Sequence, residues 1–580
     1  MTAREVAAAL REISQLLQLK GENAFKVRAY DLAADVFETL PPDPAAPGGL
    51  HDRVQKGTLG ELSGVGKAID QKVTELVKSG KLEYLEKLRQ EFPHGALDLV
   101  QIPGLGPRKA VVLIQELDVA SLDDLEKAAK EGRVRGLKGF GEKTEQLILE
   151  GIPKVRARQG ARRPIWETRP LAEQLLERVR AAPGVVRAEI AGSVRRYAET
   201  NGDIDIVAAG GPPEPVMEAF VNAPGVAEIL ARGGTKCSVK LRDGLQADLR
   251  VVAEAQFATA LHHFTGSKQH HVKLRGIARG KGLSISEYGL ARLDGSGTLQ
   301  PASEDELYRT LGLSPVPPEL REDSGELELA ATSSLPELVS LPDIRGFVHC
   351  HSTWSDGKAS IEQMVRAAQA LGAEFITITD HTSAAHYANG LNLDRLKAQW
   401  DEIAQVQERI PEVRILRGSE VDILEDGALD WPDAILEKLD VVICSVHQRF
   451  KLDEPRQTER IRKALQHPLC GIWGHPTGRY LGDRDPMPAR WEELIEVAAE
   501  RGVTIECNGT PHRLDFSADL LRLARKHGAK VCLSVDAHAT KELENLHYAV
   551  GTARRGWTEK ARVVNARGAG DFLSMLRRRA

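Results

Sequence analysis

The sequence predicts a multidomain protein of mixed α+β and α/β class, with a helical N-terminal region, a mixed sheet in the middle and a C-terminal β/α barrel or doubly wound sheet. Three observations predict it. At 580 residues the chain is too long for one hydrophobic core. Its first ~90 residues carry apolar positions Val6, Leu10, Ile13 and Leu17 at spacings of four and three, the period of a helix with one buried face. From 342 onward, short runs such as FVHC, EFITITD, VVICSVH, CGIWGH, VTIEC and VCLSVD alternate with helical segments, the pattern of repeated βα units.

An apolar fraction of 42% is ordinary for a globular chain, and the formal charge of -5 is unevenly spread. Lys154, Arg156, Arg158, Arg162 and Arg163 form a run without acids, which reads equally as a phosphate contact or as a solvated linker. Six cysteines without a CxxC pair argue against a disulfide framework and a cysteine zinc finger. No run of ~18 apolar residues marks a membrane helix, and the N-terminal MTAREVAAALREISQLLQ mixes acids with bases, as an amphipathic helix and not a signal peptide does. A cytoplasmic monomer without membrane contact is the expectation.

After a PPDPAAPGG turn at 41–49, three short units repeat: LSGVGKAI (62–69), IPGLGPRKAV (102–111) and LKGFGEKTEQLI (137–148). Each is an apolar residue, a GxG turn and the opening of a helix. Such a hairpin sets backbone N–H groups beside a positive helix end, where glycine lets a phosphate approach closely. Gly64, Gly66 and Lys67, then Gly104, Gly106, Arg108 and Lys109, then Gly139 and Gly141 beside Lys138 and Lys143, are therefore expected to hold DNA without reading its sequence. In the third unit Phe140 reads also as a packing residue.

Residues 171–260 change to helices alternating with apolar strands, including AEIAGSV and DIDIVAA. Strand residues two apart share a face, so Asp203 and Asp205 present both carboxylates together while Ile204 turns to the core. The later strand QADLRVV offers Asp248 as a third. Such hard oxygen ligands suit Mg²⁺ or Mn²⁺ bridging a nucleoside triphosphate for in-line phosphoryl transfer. Ser193 and Arg196, after the GS turn, are placed to hold triphosphate oxygens.

GSVRRYAETNGDID (192–205) resembles the palm motif of family X DNA polymerases, and HFTGSKQHHVKLR (263–275) resembles their nucleotide-contacting thumb segment. With the hairpins, the likeness covers residues 1–315. It implies a gap-filling DNA repair polymerase acting on gapped or nicked duplex and deoxynucleoside triphosphates. Gly192, Ser193, Arg196 and Gly202 would bind the triphosphate, Asp203, Asp205 and Asp248 the metals, and Gly266, His271 and Arg275 would line the nascent base pair. His263 stands where the family has Tyr and His271 where it has Asn, which leaves sugar selectivity and fidelity open; the His271 imidazole is expected to titrate near neutral pH. Lys72 matches the family's lyase lysine, and reads alternatively as a helix lysine gripping phosphate; Ala68 occupies the place of another lysine of the mammalian enzyme.

In the C-terminal region His349 and His351 form an HxH at a strand end, with Asp356 in the turn after it. Further strand ends supply His381, Glu420, His447, His475, Asp536 and His538. Active-site residues of β/α barrels gather at strand C-termini, so these are expected to converge. Their spacing resembles the polymerase and histidinol phosphatase (PHP) family over 342–580, which implies a distorted (β/α)₇ barrel around three cations of Mn²⁺, Zn²⁺ or Fe. By that likeness His349, His351, Glu420 and Asp536 serve one ion, Glu420, His447 and His475 a second, and Asp356, His381 and His538 a third. The implied activity is 3′→5′ exonucleolysis, with 3′-phosphate or abasic-end removal as companions. Asp380 is expected to orient its neighbour, Asn508 to touch substrate phosphate, and Arg513 either to touch it or to form a structural ion pair.

The expected domains are a helical, lyase-like DNA-binding domain (1–95), helix-hairpin-helix fingers (96–170), a nucleotidyltransferase palm (171–260), a small thumb (261–315), a Pro-, Ser- and acid-rich linker (316–341) that reads alternatively as docked in part on a neighbour, and the PHP phosphoesterase domain (342–580). An RNA or tRNA nucleotidyltransferase fused to a phosphatase is the competing enzyme reading, opposed by the tandem hairpins. A DNA-end scaffold with structural metals is the non-enzymatic one.

Overall fold

The structure, a computed structural model, describes residues 3–38, 40, 48–93, 95–100, 102, 104–160 and 162–576, and of 4, 5 and 153–160 the backbone. Residues 41–47 of the Pro-rich turn and the side chains of Lys154, Arg156 and Arg158 lie outside that description. The chain divides into two compact units, Met1–Arg162 with Arg242–Leu245, and Arg163–Leu241 with Gln246–Ala580.

The first unit is helical. In α1 (Ala3–Lys20) the stripe Val6, Leu10, Ile13 and Leu17 is fully buried, packed on α2 (Ala24–Glu38). The three GxG units share one turn: the carbonyls of Leu62, Ile102 and Leu137 accept hydrogen bonds from the amides of Val65, Leu105 and Phe140 at 3.0, 3.0 and 3.1 Å. That turn needs a left-handed residue at its third position, met by Gly64, Gly104 and Gly139 at φ of 96°, 82° and 87°. The helices α3 (Lys67–Ser79), α4 (Pro107–Leu117) and α5 (Glu142–Gly160) follow the second glycines. Val65, Leu105 and Phe140 are all buried in the helical core. Phe140 therefore packs, as its counterparts do, and the third hairpin keeps the same geometry.

In the second unit, α6 (Ile165–Arg180) leads into a five-stranded mixed sheet of β1 (Arg187–Ile190), β2 (Asp203–Ala209), β3 (Val226–Arg232), β4 (Lys236–Leu241) and β5 (Gln246–Val252). Its order is β1-β2-β5-β4-β3, with β2 and β5 parallel and the other pairs antiparallel. Two helices, α7 (Phe257–Thr265) and α8 (Lys268–Gly280), precede a small antiparallel sheet of β6 (Leu283–Ser286), β7 (Gly289–Arg292) and β8 (Thr298–Leu299).

The segment expected as a linker is docked. Val316, Leu320, Leu327 and Ala330 share a core with Leu274, Tyr308 and the barrel's Trp557. Polar residues reinforce it: buried Arg321 pairs with Glu304 at 2.6 Å, and buried Glu326 accepts from His270 at 2.6 Å. The Pro- and acid-rich composition hides four well-spaced apolar side chains, and their burial holds the segment in place.

Seven parallel strands follow: β9 (Gly346–Cys350), β10 (Phe375–Ile378), β11 (Arg414–Asp422), β12 (Val441–Ser445), β13 (Ile472–Trp473), β14 (Thr504–Asn508) and β15 (Val531–Ser534). They pair in chain order, and a parallel bridge between Cys350 and Ala537 joins the two ends into a nearly closed barrel. Most strand residues are buried on both faces, as parallel strands covered by helices require. The barrel grips the loop after β1: Arg479 pairs with Glu199 at 2.7 Å, and a Cβ at Gly551 would lie 1.9 Å from the Tyr197 ring. Among the described residues no helix is long and apolar enough to cross a membrane.

Two candidate metal centres

The first centre lies on β2 and β5. Asp205 and Asp248 are register partners on the parallel pair, and Asp203 is two residues before Asp205 on the same face, while Ile204 is fully buried. One oxygen from each of the three carboxylates falls within 4.8 Å of the others. Burial, then Asp203 and Asp248, push the Asp205 pKa up to about 7, so the three charges repel unless a cation joins them. Gly192 explains itself here. At φ 61°, a Cβ on it would fall 2.2 Å from an Asp205 oxygen, so only glycine lets that carboxylate sit over the turn. Ser238, unnoticed in the sequence, donates to Asp248, and Gln246 donates at 3.0 Å.

Around this centre the expected nucleotide contacts are tied to one another. Ser193 donates to Asn201 at 2.8 Å, next to Gly202. Arg195 and Arg321 both pair with Glu304, whose carboxyl, despite burial, they hold down at about 2. Arg196 donates to Glu322 at 2.9 Å and to the Thr265 carbonyl; a Cβ on Gly266 would meet its guanidinium at 3.1 Å. From the barrel, Arg555 donates to the same Glu322 and to the Arg196 carbonyl, both at 2.8 Å. Arg275 is exposed. His271 departs from expectation. Burial, then His263, lower its pKa to about 4, so it stays neutral at physiological pH and does not titrate there. Its Nε2 lies 3.1 and 3.0 Å from the His262 and His263 carbonyls, which only accept, so the ring's one proton is committed to backbone.

The second centre occupies the C-terminal mouth of the barrel. Glu420 is its hub: one carboxylate oxygen lies 3.1 Å from His447 and 2.8 Å from His475, the other 3.2, 3.5 and 3.1 Å from His349, His351 and His381. Asp536 lies 3.4 and 3.1 Å from His349 and His351, and Asp356 lies 3.7 and 3.3 Å from His381 and His538. Three groups have converging ligand atoms: His349, His351, Glu420 and Asp536; His381, Glu420 and His447; and His351, Asp356, His381 and His538. The first brings together the four side chains named in the sequence for one ion. In the second, His381 joins Glu420 and His447 while His475 hydrogen-bonds Glu420; in the third, His351 is added.

This donor set fits cations. His349 Nε2, both His351 nitrogens, His381 Nδ1, Glu420 Oε2 and Asp536 Oδ1 are buried without a hydrogen-bond partner, although acceptors and imidazoles crowd within 3.5 Å. Lone pairs aimed at a common point leave such atoms orphaned. Burial works against charge here, yet Glu420 and Asp422 push His447 up to about 10, so the negative charge of the cluster outweighs the cost of burial.

Residues behind the ligands set their aim. Glu506 accepts from His349 Nδ1 at 2.6 Å and from Ser534 and Asn508, and Asp422 faces His447 Nδ1 at 3.1 Å; neither was singled out from the sequence. Carboxylates in that place fix which ring nitrogen is free for a metal. Asp380 accepts from Ser352, Ser355 and Gln399, and so shapes the turn that carries Asp356. Asn508 is buried, donating to Glu506 at 3.2 Å and accepting from the Thr510 amide at 2.9 Å. Arg513 lies 3.6 Å from Asp536. In the other unit, Lys72 Nζ is 3.3 Å from the Ala68 carbonyl and 4.7 Å from the Tyr84 ring centroid.

A mixed sheet bearing clustered carboxylates, joined to a barrel bearing an imidazole and carboxylate cluster, is the arrangement of a phosphate-handling protein with two groups of side chains that could hold metal ions. Family models match in the same order: a helix-hairpin-helix domain at 1–82, a tandem helix-hairpin-helix at 96–153, a DNA polymerase beta thumb at 260–322 and a PHP domain at 348–510. The chain is 37% identical over 580 residues, the full length of both, to the DNA polymerase/3′-5′ exonuclease PolX of Bacillus subtilis (strain 168). It is 30% identical over 234 residues, 37% of this chain and 88% of the relative, to a probable phosphatase of Thermoanaerobacter sp. (strain X514), and 30% identical over 203 residues, 33% and 74%, to one of Caldanaerobacter subterraneus. The chain belongs to the family X DNA polymerases that carry a C-terminal PHP domain.

Proposed function

We propose that this protein fills short gaps in DNA during repair, extending a 3′ end with deoxynucleotides at the β2/β5 carboxylates, and that its barrel removes nucleotides from 3′ ends. The observation that carries this reading is the full-length likeness to a polymerase/exonuclease, combined with two separate ligand clusters in one chain. The test is direct. On a gapped duplex with deoxynucleoside triphosphates the protein should extend the primer, and without them it should shorten it; a chelator should stop both.

Asp203, Asp205 and Asp248 are assigned Mg²⁺ or Mn²⁺, and the barrel ligands Mn²⁺, Zn²⁺ or Fe, in keeping with oxygen-only and mixed nitrogen and oxygen donors. Held by these residues, cations would supply positive charge for the oxygens of phosphoryl transfer and Lewis acidity for hydrolysis. The chain's own residues do the positioning. Ser193 and Arg196, with Gly192 and Gly202, hold the triphosphate; the hairpins at Gly64 to Lys67, Gly104 to Lys109 and Gly139 to Gly141 hold the duplex backbone; Lys72 is assigned to phosphate gripping. The domain boundaries read from the sequence, with 316–341 docked on the thumb and barrel and no longer a free linker, a monomeric state and a cytoplasmic location complete the proposal.

Two predictions follow from the groups behind these contacts. Glu322 occupies the guanidinium that the triphosphate needs, so Glu322→Gln should lower the KM for deoxynucleotides, by about tenfold or more for a charged hydrogen bond, with 3′ trimming unchanged; steady-state primer extension reads it. Glu506→Gln should weaken metal retention by the barrel about 10- to 100-fold, seen in metal titration of the purified protein, with the helical and sheet content intact.

A further inference from the structure

Tyr387 stands at the rim of the barrel centre with nothing in the fold to account for its exposure. It lies in the one-turn helix His386–Ala388, on the loop after β10, and is 66% exposed. Its ring centroid is 6.1 Å from that of His381 and 6.2 Å from that of His447, tilted 62° and 66° to them. Among the described residues its hydroxyl makes no hydrogen bond. The loop that presents it is fixed. Ala385 and Ala388 are buried, the Ala384 amide donates to Asp430 at 2.9 Å, and a Cβ on Gly390 would meet the Thr382 carbonyl at 1.8 Å. A large aromatic ring, presented by a fixed loop and left to solvent beside ligands that handle phosphate, has a free face for a flat partner.

We infer that Tyr387 is a substrate-contact residue of the exonuclease site, a platform on which the base of the 3′-terminal nucleotide stacks when the phosphodiester that joins it to the chain reaches the metal ligands. The inference rests on the reading of the barrel as the 3′-trimming site. Base-on-aromatic stacking accepts every base, because each has a π-face, and it requires that the terminal base be unpaired. The substrate class is thereby an unstacked 3′ end that carries a base, and a baseless 3′ end loses this contact.

The test uses the full-length protein. Metal-free protein in chelator is mixed with a single-stranded oligonucleotide bearing 2-aminopurine at its 3′ terminus; the parent and Tyr387→Phe should quench its fluorescence and Tyr387→Ala should not. With Mn²⁺, Tyr387→Ala should raise the KM for 3′ trimming about 5- to 150-fold, the range of one stacked base, while kcat and melting temperature stay near the parent's and Tyr387→Phe behaves as the parent. On an oligonucleotide ending in a tetrahydrofuran residue, which lacks a base, parent and Tyr387→Ala should act alike. Equal losses in Tyr387→Phe, an equal penalty on the baseless end, or quenching that requires 2-aminopurine at the penultimate position would each overturn the assignment. A parent protein that trims no 3′ end would instead refute the reading of the barrel itself.

Discussion

Asp205→Asn should cut nucleotide incorporation by about 10²- to 10³-fold, the scale of removing one preorganised group, and leave 3′ trimming intact. The reason is position. Asp205 is the middle carboxylate of the three, in register with Asp248 across the parallel strands and on the same face as Asp203, so its loss opens the shared cation site from the centre. Its effect on stability runs the other way. A carboxyl whose folded pKa, about 7, lies above its ordinary value costs stability once pH exceeds that ordinary value, and the cost is complete above the folded value. Metal-free Asp205→Asn should therefore melt above the parent at pH 8, with the difference closing toward pH 4. Primer extension on gapped DNA and melting curves in chelator check both halves; a variant that loses synthesis because it unfolds would contradict them.

Glu420→Gln should produce the reverse separation: 3′ trimming falls by about 10³-fold or more, with gap filling at the parental rate. Both Glu420 oxygens face imidazoles, five in all within 3.5 Å, so the neutral amide removes the negative charge on which they converge. Metal analysis of the purified variant should show fewer barrel-bound ions per chain. Retained trimming with full metal content would remove Glu420 from its proposed place, and loss of synthesis as well would mean that the barrel centre also supports the palm.

Much of the site was legible because its logic is local. Asp203 and Asp205 share a face through the two-residue period of a strand, and His349 with His351, or Asp536 with His538, come together at strand ends for related reasons of chain geometry. The fold class was legible from the same kind of signal, apolar stripes in the helices and short β-rich runs in the barrel. What composition left open was the segment 316–341, where burial of Val316, Leu320, Leu327 and Ala330 outweighs the surrounding prolines and acids. His271 also escaped: nothing in its neighbours along the chain says that its ring is buried with its proton on backbone carbonyls, which is why it stays neutral.

The sequence by itself determined which side chains could carry the chemistry and which of them fall on one face, because spacing along a helix or strand is a property of the backbone. Only the tertiary structure decided how distant groups meet: Glu322 and Arg555 on Arg196, Glu506 behind His349, Asp422 behind His447, Glu420 among five imidazoles. Such contacts join residues tens to hundreds of positions apart. Their geometry follows from the packing of whole elements around shared cores, and no local period encodes it.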